Sequence, residues 1–232
     1  AQVKAHWGPQ TRGVLLASPS NPTGTSIAAA ELSRIHNEVS QRGGITMVDE
    51  IYLGLSFDAA FGQTALALDD QIISINSFSK YFSMTGWRIG WMVVPDDQVR
   101  VVERIAQNMF ICPPHVSQVA ALAALDCVDE LEANRAVYAE NRRLMLEGLP
   151  KAGFHRIAPP DGAFYIYADV SDLTSDSLQL ARDILHGAGV AVTPGLDFDP
   201  VRGRTTLRFS YARATSDIAE GLARLRQFMT AG

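Results

Sequence analysis

Four short apolar runs set the narrowest limits on how this chain folds, and the first three each end in a cluster of polar or turn residues. Val14-Leu15-Leu16-Ala17 ends in Ser18-Pro19-Ser20-Asn21-Pro22-Thr23-Gly24. Ile45-Thr46-Met47-Val48 ends in Asp49-Glu50, and Ile72-Ile73-Ser74-Ile75 ends in Ser77-Phe78-Ser79-Lys80. The fourth run covers Ile89 to Val94. Between the first two lies a helix pattern from Ser26 to Arg42, with Ile27, Leu32, Ile35 and Val39 on one side and Gly43-Gly44 at its end. Continuous apolar strands separated by helices predict an α/β fold with a largely parallel sheet covered on both faces. A strand-like run is also expected almost directly after Ala1.

The pattern then changes twice. From Asp96 to Gly148 it predicts long helices, interrupted near Cys112-Pro113-Pro114. After Pro150, strand signals at Ala163–Tyr167 and Thr205–Ser210 flank a helix over Leu178–Ala188. Ile218, Leu222, Leu225 and Phe228 mark a final amphipathic helix. The division expected is a first domain over 1–125 and a smaller α+β domain over 126–232. No internal repeat or low-complexity linker interrupts them.

Composition excludes several classes. Over 232 residues, 47% are hydrophobic and 19% charged, which is globular and not disordered. The net charge of -5 argues against a nucleic-acid partner. No apolar run reaches the roughly 18–20 residues that span a bilayer, so no membrane partner is expected. Cys112 and Cys127 make neither a disulfide framework nor a zinc cluster. His6, His36, His115, His155 and His186 lack ligand spacing, so no metal site is expected and these read as surface or packing residues. A soluble, reducing, cytoplasmic setting fits these features.

Polar residues collect just past the carboxyl ends of the strands, where open α/β sheets bind ligands. Ser77 and Ser79 supply hydroxyls and Arg88 a guanidinium fork, a set suited to a phosphate group. Lys80 beside them is a candidate nucleophilic amine. Asp49 ends a buried strand, where a carboxylate needs a cationic or donor partner, and a protonated pyridine nitrogen serves. Tyr52, three residues on, places a phenol near a second ring substituent. Phosphate, reactive amine and pyridinium partner together describe pyridoxal 5'-phosphate.

The chain resembles the class I/II aminotransferases, the fold-type-I pyridoxal-phosphate enzymes. The matching motifs are Ser20-Asn21-Pro22-Thr23-Gly24, Asp49-Glu50-Ile51-Tyr52, Ser77-Phe78-Ser79-Lys80, Gly86-Trp87-Arg88-Ile89-Gly90, Gly162-Ala163-Phe164-Tyr165, Pro194-Gly195 with Phe198, and Leu207-Arg208-Phe209-Ser210-Tyr211-Ala212. They stand in family order over nearly the whole chain. The resemblance implies that residues 1–125 are the C-terminal part of a three-layer cofactor-binding domain, including the interdomain helix, and that 126–232 are the small domain. It implies that Lys80 carries the cofactor as a Schiff base and shuttles the proton at the substrate α carbon. It assigns Asp49 to the pyridine nitrogen, Asn21 and Tyr52 to the phenolate oxygen, and Ser77, Ser79 and Arg88 to the phosphate. Arg208, with Asn21, would bind the substrate, its guanidinium gripping the α-carboxylate. Amino acids and 2-oxo acids are the implied substrates, and the full-length parent is implied to be a homodimer.

The family's N-terminal part is absent from the sequence, with its glycine-containing helix start, its ring-stacking aromatic residue and its pocket-closing segment. Ala1 therefore reads as a break inside a fold, and the chain alone is expected to turn over weakly or not at all. Two other readings stay open. One is a different fold-type-I reaction, such as a carbon–sulfur β-lyase. The other is the ligand-sensing aminotransferase-like domain of a transcription regulator. Phe164 and Tyr165 line either a substrate pocket or the core, Trp87 and Trp91 are expected to pack, and Arg202, Arg204 and Arg213 are expected in solvent.

Overall fold

A computed structural model describes residues 2–231. It divides into two units. The first runs up to Pro19 and then over Ser26–Leu131; the second takes Ser20–Thr25 and the chain from Glu132 onward.

The first unit begins with a short helix, α1 (Gln2–His6), where the sequence predicts a strand-like run. One branched apolar residue among polar ones leaves that segment no apolar strand face to bury. Strand β1 (Gly13–Ala17) follows, then helix α2 (Ala29–Ser40), strands β2 (Ile45–Asp49), β3 (Ile73–Ser77) and β4 (Gly90–Val93), and helices α3 (Asp96–Met109) and α4 (His115–Ala124). Helix α5 (Val128–Lys151) starts in this unit and continues into the second. The sheet has the order β1-β2-β3-β4. The first three strands are parallel and β4 is antiparallel to β3.

Helix α2 starts three residues later than its apolar pattern, and its buried stripe is Leu32, His36 and Val39. Leu32 joins Val48, Ala65 and Ile72 in a core cluster, with Leu16 and Ile27 packed against it. His36 earns its buried place through polar partners. Its Nδ1 lies 3.0 Å from the Thr46 hydroxyl, and its Nε2 lies 3.2 Å from an Asp69 carboxylate oxygen. The expected α/β fold with a largely parallel sheet is observed. Within this unit Leu15 is 66% exposed, every β4 residue is exposed, and α3 buries no residue at all.

The second unit holds an antiparallel sheet in the order β5-β6-β8-β7, from β5 (Arg156–Ile157), β6 (Tyr165–Asp169), β7 (Thr193–Pro194) and β8 (Thr206–Ser210). Helix α6 (Ser177–Ala188) is capped at its start by the Asp176 side chain on the Gln179 amide, and stopped by Gly189 at φ 65°. Helix α7 (Thr215–Ala231) closes the unit. Its core is fully buried at Phe154, Ile166, Ile184, Leu207, Tyr211 and Leu225, and nearly so at Phe209. Phe154 meets Phe209 edge-on, with ring centroids 5.1 Å apart. Asn141 ties helix α5 to the sheet end by donating to the Tyr211 and Arg213 carbonyls at 3.0 and 2.7 Å. Among the described residues, no helix is long and apolar enough to cross a membrane.

Candidate active site

The parallel register aligns Ala17, Asp49 and Ile75 across β1, β2 and β3, so the segments that leave these strands share one sheet edge. Asp49 is the last residue of β2, and its Oδ1 accepts the Ile51 amide at 3.0 Å. That bond bends the chain into a turn placing Tyr52, which is 4% exposed. The Lys80 Nζ stands 5.8 Å from the centroid of the Tyr52 ring.

Lys80 sits in a turn that the sequence closes on itself. The Ser77 hydroxyl accepts the Ser79 amide at 3.0 Å and lies 2.9 Å from the Ser79 hydroxyl and 3.2 Å from the Ile89 carbonyl. The Phe78 amide donates to the same Ile89 carbonyl, and the Thr85 hydroxyl donates to the Ser79 carbonyl at 2.5 Å. Phe78 and Phe82 pack tilted at 4.7 Å, and Trp91 of β4 meets Phe78 edge-on at 5.0 Å. These contacts hold Ser77, Ser79 and Lys80 within one rigid turn. Arg88 adopts a left-handed backbone, φ 52°, which costs a non-glycine residue roughly 1–2 kcal/mol. Its Nη1 donates to the Thr85 carbonyl at 2.9 Å, so this guanidinium is tied to its own turn. Trp87 and Trp91, both expected to pack, are 43% and 38% exposed: Trp87 lies in a 3-10 turn before β4, and Trp91 lies on β4, whose residues are all exposed.

The other two candidates meet in the second unit. Arg208 lies on β8, opposite Tyr167 of β6 and Thr193 of β7. Its Nη1 donates to Asn21 Oδ1 at 2.7 Å, although Asn21 is 187 positions away in sequence. Its Nη2 donates to the Thr193 hydroxyl at 3.3 Å. The Tyr165 and Phe198 rings lie 4.4 and 4.6 Å from the guanidinium carbon. The Arg208 Nε is buried and makes no hydrogen bond. Each terminal nitrogen keeps a second N–H, and paired N–H groups on a planar fork are what a carboxylate accepts. Asn21 reaches this position because Gly24, at φ +71°, lets the segment lie against β6. A Cβ there would come 2.8 Å from the Tyr165 carbonyl oxygen. The Gly162 amide donates to the Gly24 carbonyl at 2.9 Å.

The structure thus brings Asp49, Tyr52, Ser77, Ser79 and Lys80 to one sheet edge, and Asn21 to Arg208. Sequence reasoning missed Thr193 as a partner of Arg208. Its signal was its place one residue before the Pro194-Gly195 motif. Arg202 and Arg213 pair with Asp199 and Asp217 at 3.0 and 3.1 Å in solvent-facing positions. The Arg202 and Val201 amides, with the Arg202 guanidinium, hold the Asp199 carboxyl below its ordinary range. Burial pushes the Tyr211 phenol well above its ordinary value, and its hydroxyl donates to the Ala163 carbonyl.

The donor set fits pyridoxal phosphate. Two hydroxyls suit its phosphate, a carboxylate its pyridine nitrogen, a phenol its ring oxygen and an amine its aldehyde.

Comparison with known proteins gives the family. The family model for aminotransferase class I and II matches residues 2–225. The chain is 45% identical to a valine–pyruvate aminotransferase of Mycobacterium tuberculosis, over 99% of this chain and 60% of that protein. A crystal structure from Silicibacter pomeroyi, of a protein assigned to the aminotransferases, matches 95% of this chain and 59% of its own. Its TM-score is 0.92 at 67% identity. An aminotransferase structure from Mycobacterium tuberculosis matches all of this chain and 60% of its own, with a TM-score of 0.95 at 44% identity. The chain therefore spans about 60% of the length of the relatives it matches. With a family match over nearly its full length, the chain belongs to the class I and II aminotransferases.

Proposed function

We propose that this chain carries the cofactor and substrate residues of a pyridoxal-phosphate-dependent aminotransferase, which moves an amino group between an amino acid and a 2-oxo acid. The observation that carries this reading is the setting of Arg208. Its guanidinium is stacked between two rings and bonded to Asn21, a residue assigned to the cofactor on separate grounds. Lysine would not reproduce that planar fork.

Pyridoxal phosphate supplies an electron sink for charge that develops at the substrate α carbon. Lys80 would hold the cofactor covalently until the substrate's amine displaces it, and the lysine amine so freed would take and return the proton at the α carbon. Asp49 holds a proton on the pyridine nitrogen. Tyr52 and Asn21 donate toward the ring oxygen. Ser77, Ser79 and Arg88 bind the phosphate, and the Arg208 fork orients the α-carboxylate. The parent protein works in the cytoplasm as a homodimer on this reading.

The name of the 45%-identical relative makes valine and pyruvate the first pair to test. The full-length parent, incubated with pyridoxal phosphate and valine, should release one equivalent of the matching 2-oxo acid, and pyruvate added next should be converted to alanine. Release of ammonia with pyruvate from a sulfur-containing amino acid, without amino transfer, would replace this reading with a β-lyase.

A further inference from the structure

Glu50 follows Asp49 in the motif at the end of β2, and the proposed function gives it no role. It is 3% exposed and forms no ion pair among the described residues. A carboxylate in that position is costly unless donors surround it. Three do. The Ser74 hydroxyl of β3 donates to Oε2 at 2.6 Å, the Thr64 hydroxyl donates to the same oxygen at 2.8 Å, and the Ala65 amide donates to Oε1 at 2.6 Å.

Thr64 and Ala65 end the excursion that begins just after Glu50. One side chain therefore joins both ends of the loop 51–64 and pins them to β3. Loops of roughly 6–16 residues with adjoining ends form compact Ω-loops. This one carries Tyr52 near its start. Leu55, in its next turn, is 1% exposed. Gly54 lies so close to the Tyr81 ring that a Cβ would come within 2.7 Å of it, and Tyr81 is the neighbour of Lys80. Successive residues of an extended segment face opposite ways, so Glu50 can anchor the loop without occupying the side to which Asp49 points.

We propose that Glu50 is a positioning residue whose carboxylate clasps the loop 51–64 and so holds Tyr52 against Lys80. Its consequence for catalysis rests on the cofactor roles proposed for Tyr52 and Lys80; the clasp itself does not.

The test compares wild type, Glu50→Gln and Glu50→Ala by hydrogen exchange and by competitive acetylation of lysines, with Lys4 and Lys151 as internal references. Glutamine keeps an acceptor for the Ala65 amide, and the two hydroxyls can turn to accept from its amide. Glu50→Ala should raise exchange across 51–64 at least about tenfold, while β6 and β8 keep theirs. Lys80 labelling should rise about threefold relative to the reference lysines as the ring cover loosens. Glu50→Gln should stay within about twofold of wild type on both. Unchanged loop exchange in Glu50→Ala, a uniform rise at all three lysines, or Glu50→Gln matching Glu50→Ala would each overturn the proposal. Should Glu50→Ala fail to fold, Thr64→Val and Ser74→Ala each remove one donor and should loosen the same loop to a smaller degree; no loosening in either would be equally contrary. Borohydride trapping of pyridoxal phosphate on the wild-type protein, run in parallel, judges the cofactor reading separately. Its failure leaves the exchange result standing.

Discussion

The two units bury their apolar residues very differently. In the second, β6 and β8 share a core in which Ile166, Leu207, Phe209 and Tyr211 are buried. In the first, the core around Val48 and Ile72 gives way to an open region. There Ile105 of α3 is 53% exposed, Met92 of β4 is 45% exposed, and Val119 and Leu122 of α4 also face outward. The lesson is that the candidate residues rest on unequal supports. Arg208 is held by an antiparallel sheet with a buried core, whereas Lys80 is held by a turn whose aromatic pack leans on the exposed strand β4.

The largest expected effect sharpens the chemical side of this contrast. Lys80→Ala should abolish covalent pyridoxyl labelling and amino-group transfer, since no other amine in the motif can replace it. Mass analysis after borohydride reduction reads this directly. A stability pair comes next. Leu207→Ala, at a fully buried site, should cost about 2–5 kcal/mol in urea unfolding. Ile105→Ala, at its exposed site on α3, should stay within about 0.5 kcal/mol. Equal costs at the two positions would break the contrast.

Arg208→Lys keeps the charge and loses both the fork and the ring stacking. The apparent affinity for a 2-oxo acid should fall about 10–100-fold, read by titration, with unchanged thermal unfolding of the second unit. The smallest effect is electrostatic. The Ser171 amide and hydroxyl, with Arg156 opposite, hold the Asp169 carboxyl below its ordinary value. A depressed folded value contributes stability above the unfolded value, near 4, and loses it as pH falls through the folded value. Asp169→Asn should therefore lower the melting temperature slightly at pH 7 and leave it unchanged at about pH 2. A deficit that persists in acid would point to lost hydrogen bonds instead.

Much of this was legible in the sequence because the informative features are local. Apolar runs closed by Asp49-Glu50 and by Ser77–Lys80 mark strands and their functional ends together. The link between Asn21 and Arg208 was legible only through family motifs, since nothing local relates residues so distant in the chain. Other features needed tertiary partners. β5 and β7 are two residues long and carry no period. His36 and Glu50 are buried by hydroxyl, amide and carboxylate partners that apolar patterning does not register. Thr193 matters only because β7 pairs with β8, which brings its hydroxyl to Arg208.

The most direct test of the central claim is to incubate the purified chain with pyridoxal phosphate, reduce with borohydride and map the modified peptide. The account predicts a pyridoxyl group on Lys80, lost in Lys80→Ala, with Lys4 and Lys151 unmodified at stoichiometric cofactor. Label on Lys4 or Lys151 in place of Lys80, or no specific adduct at all, would contradict it.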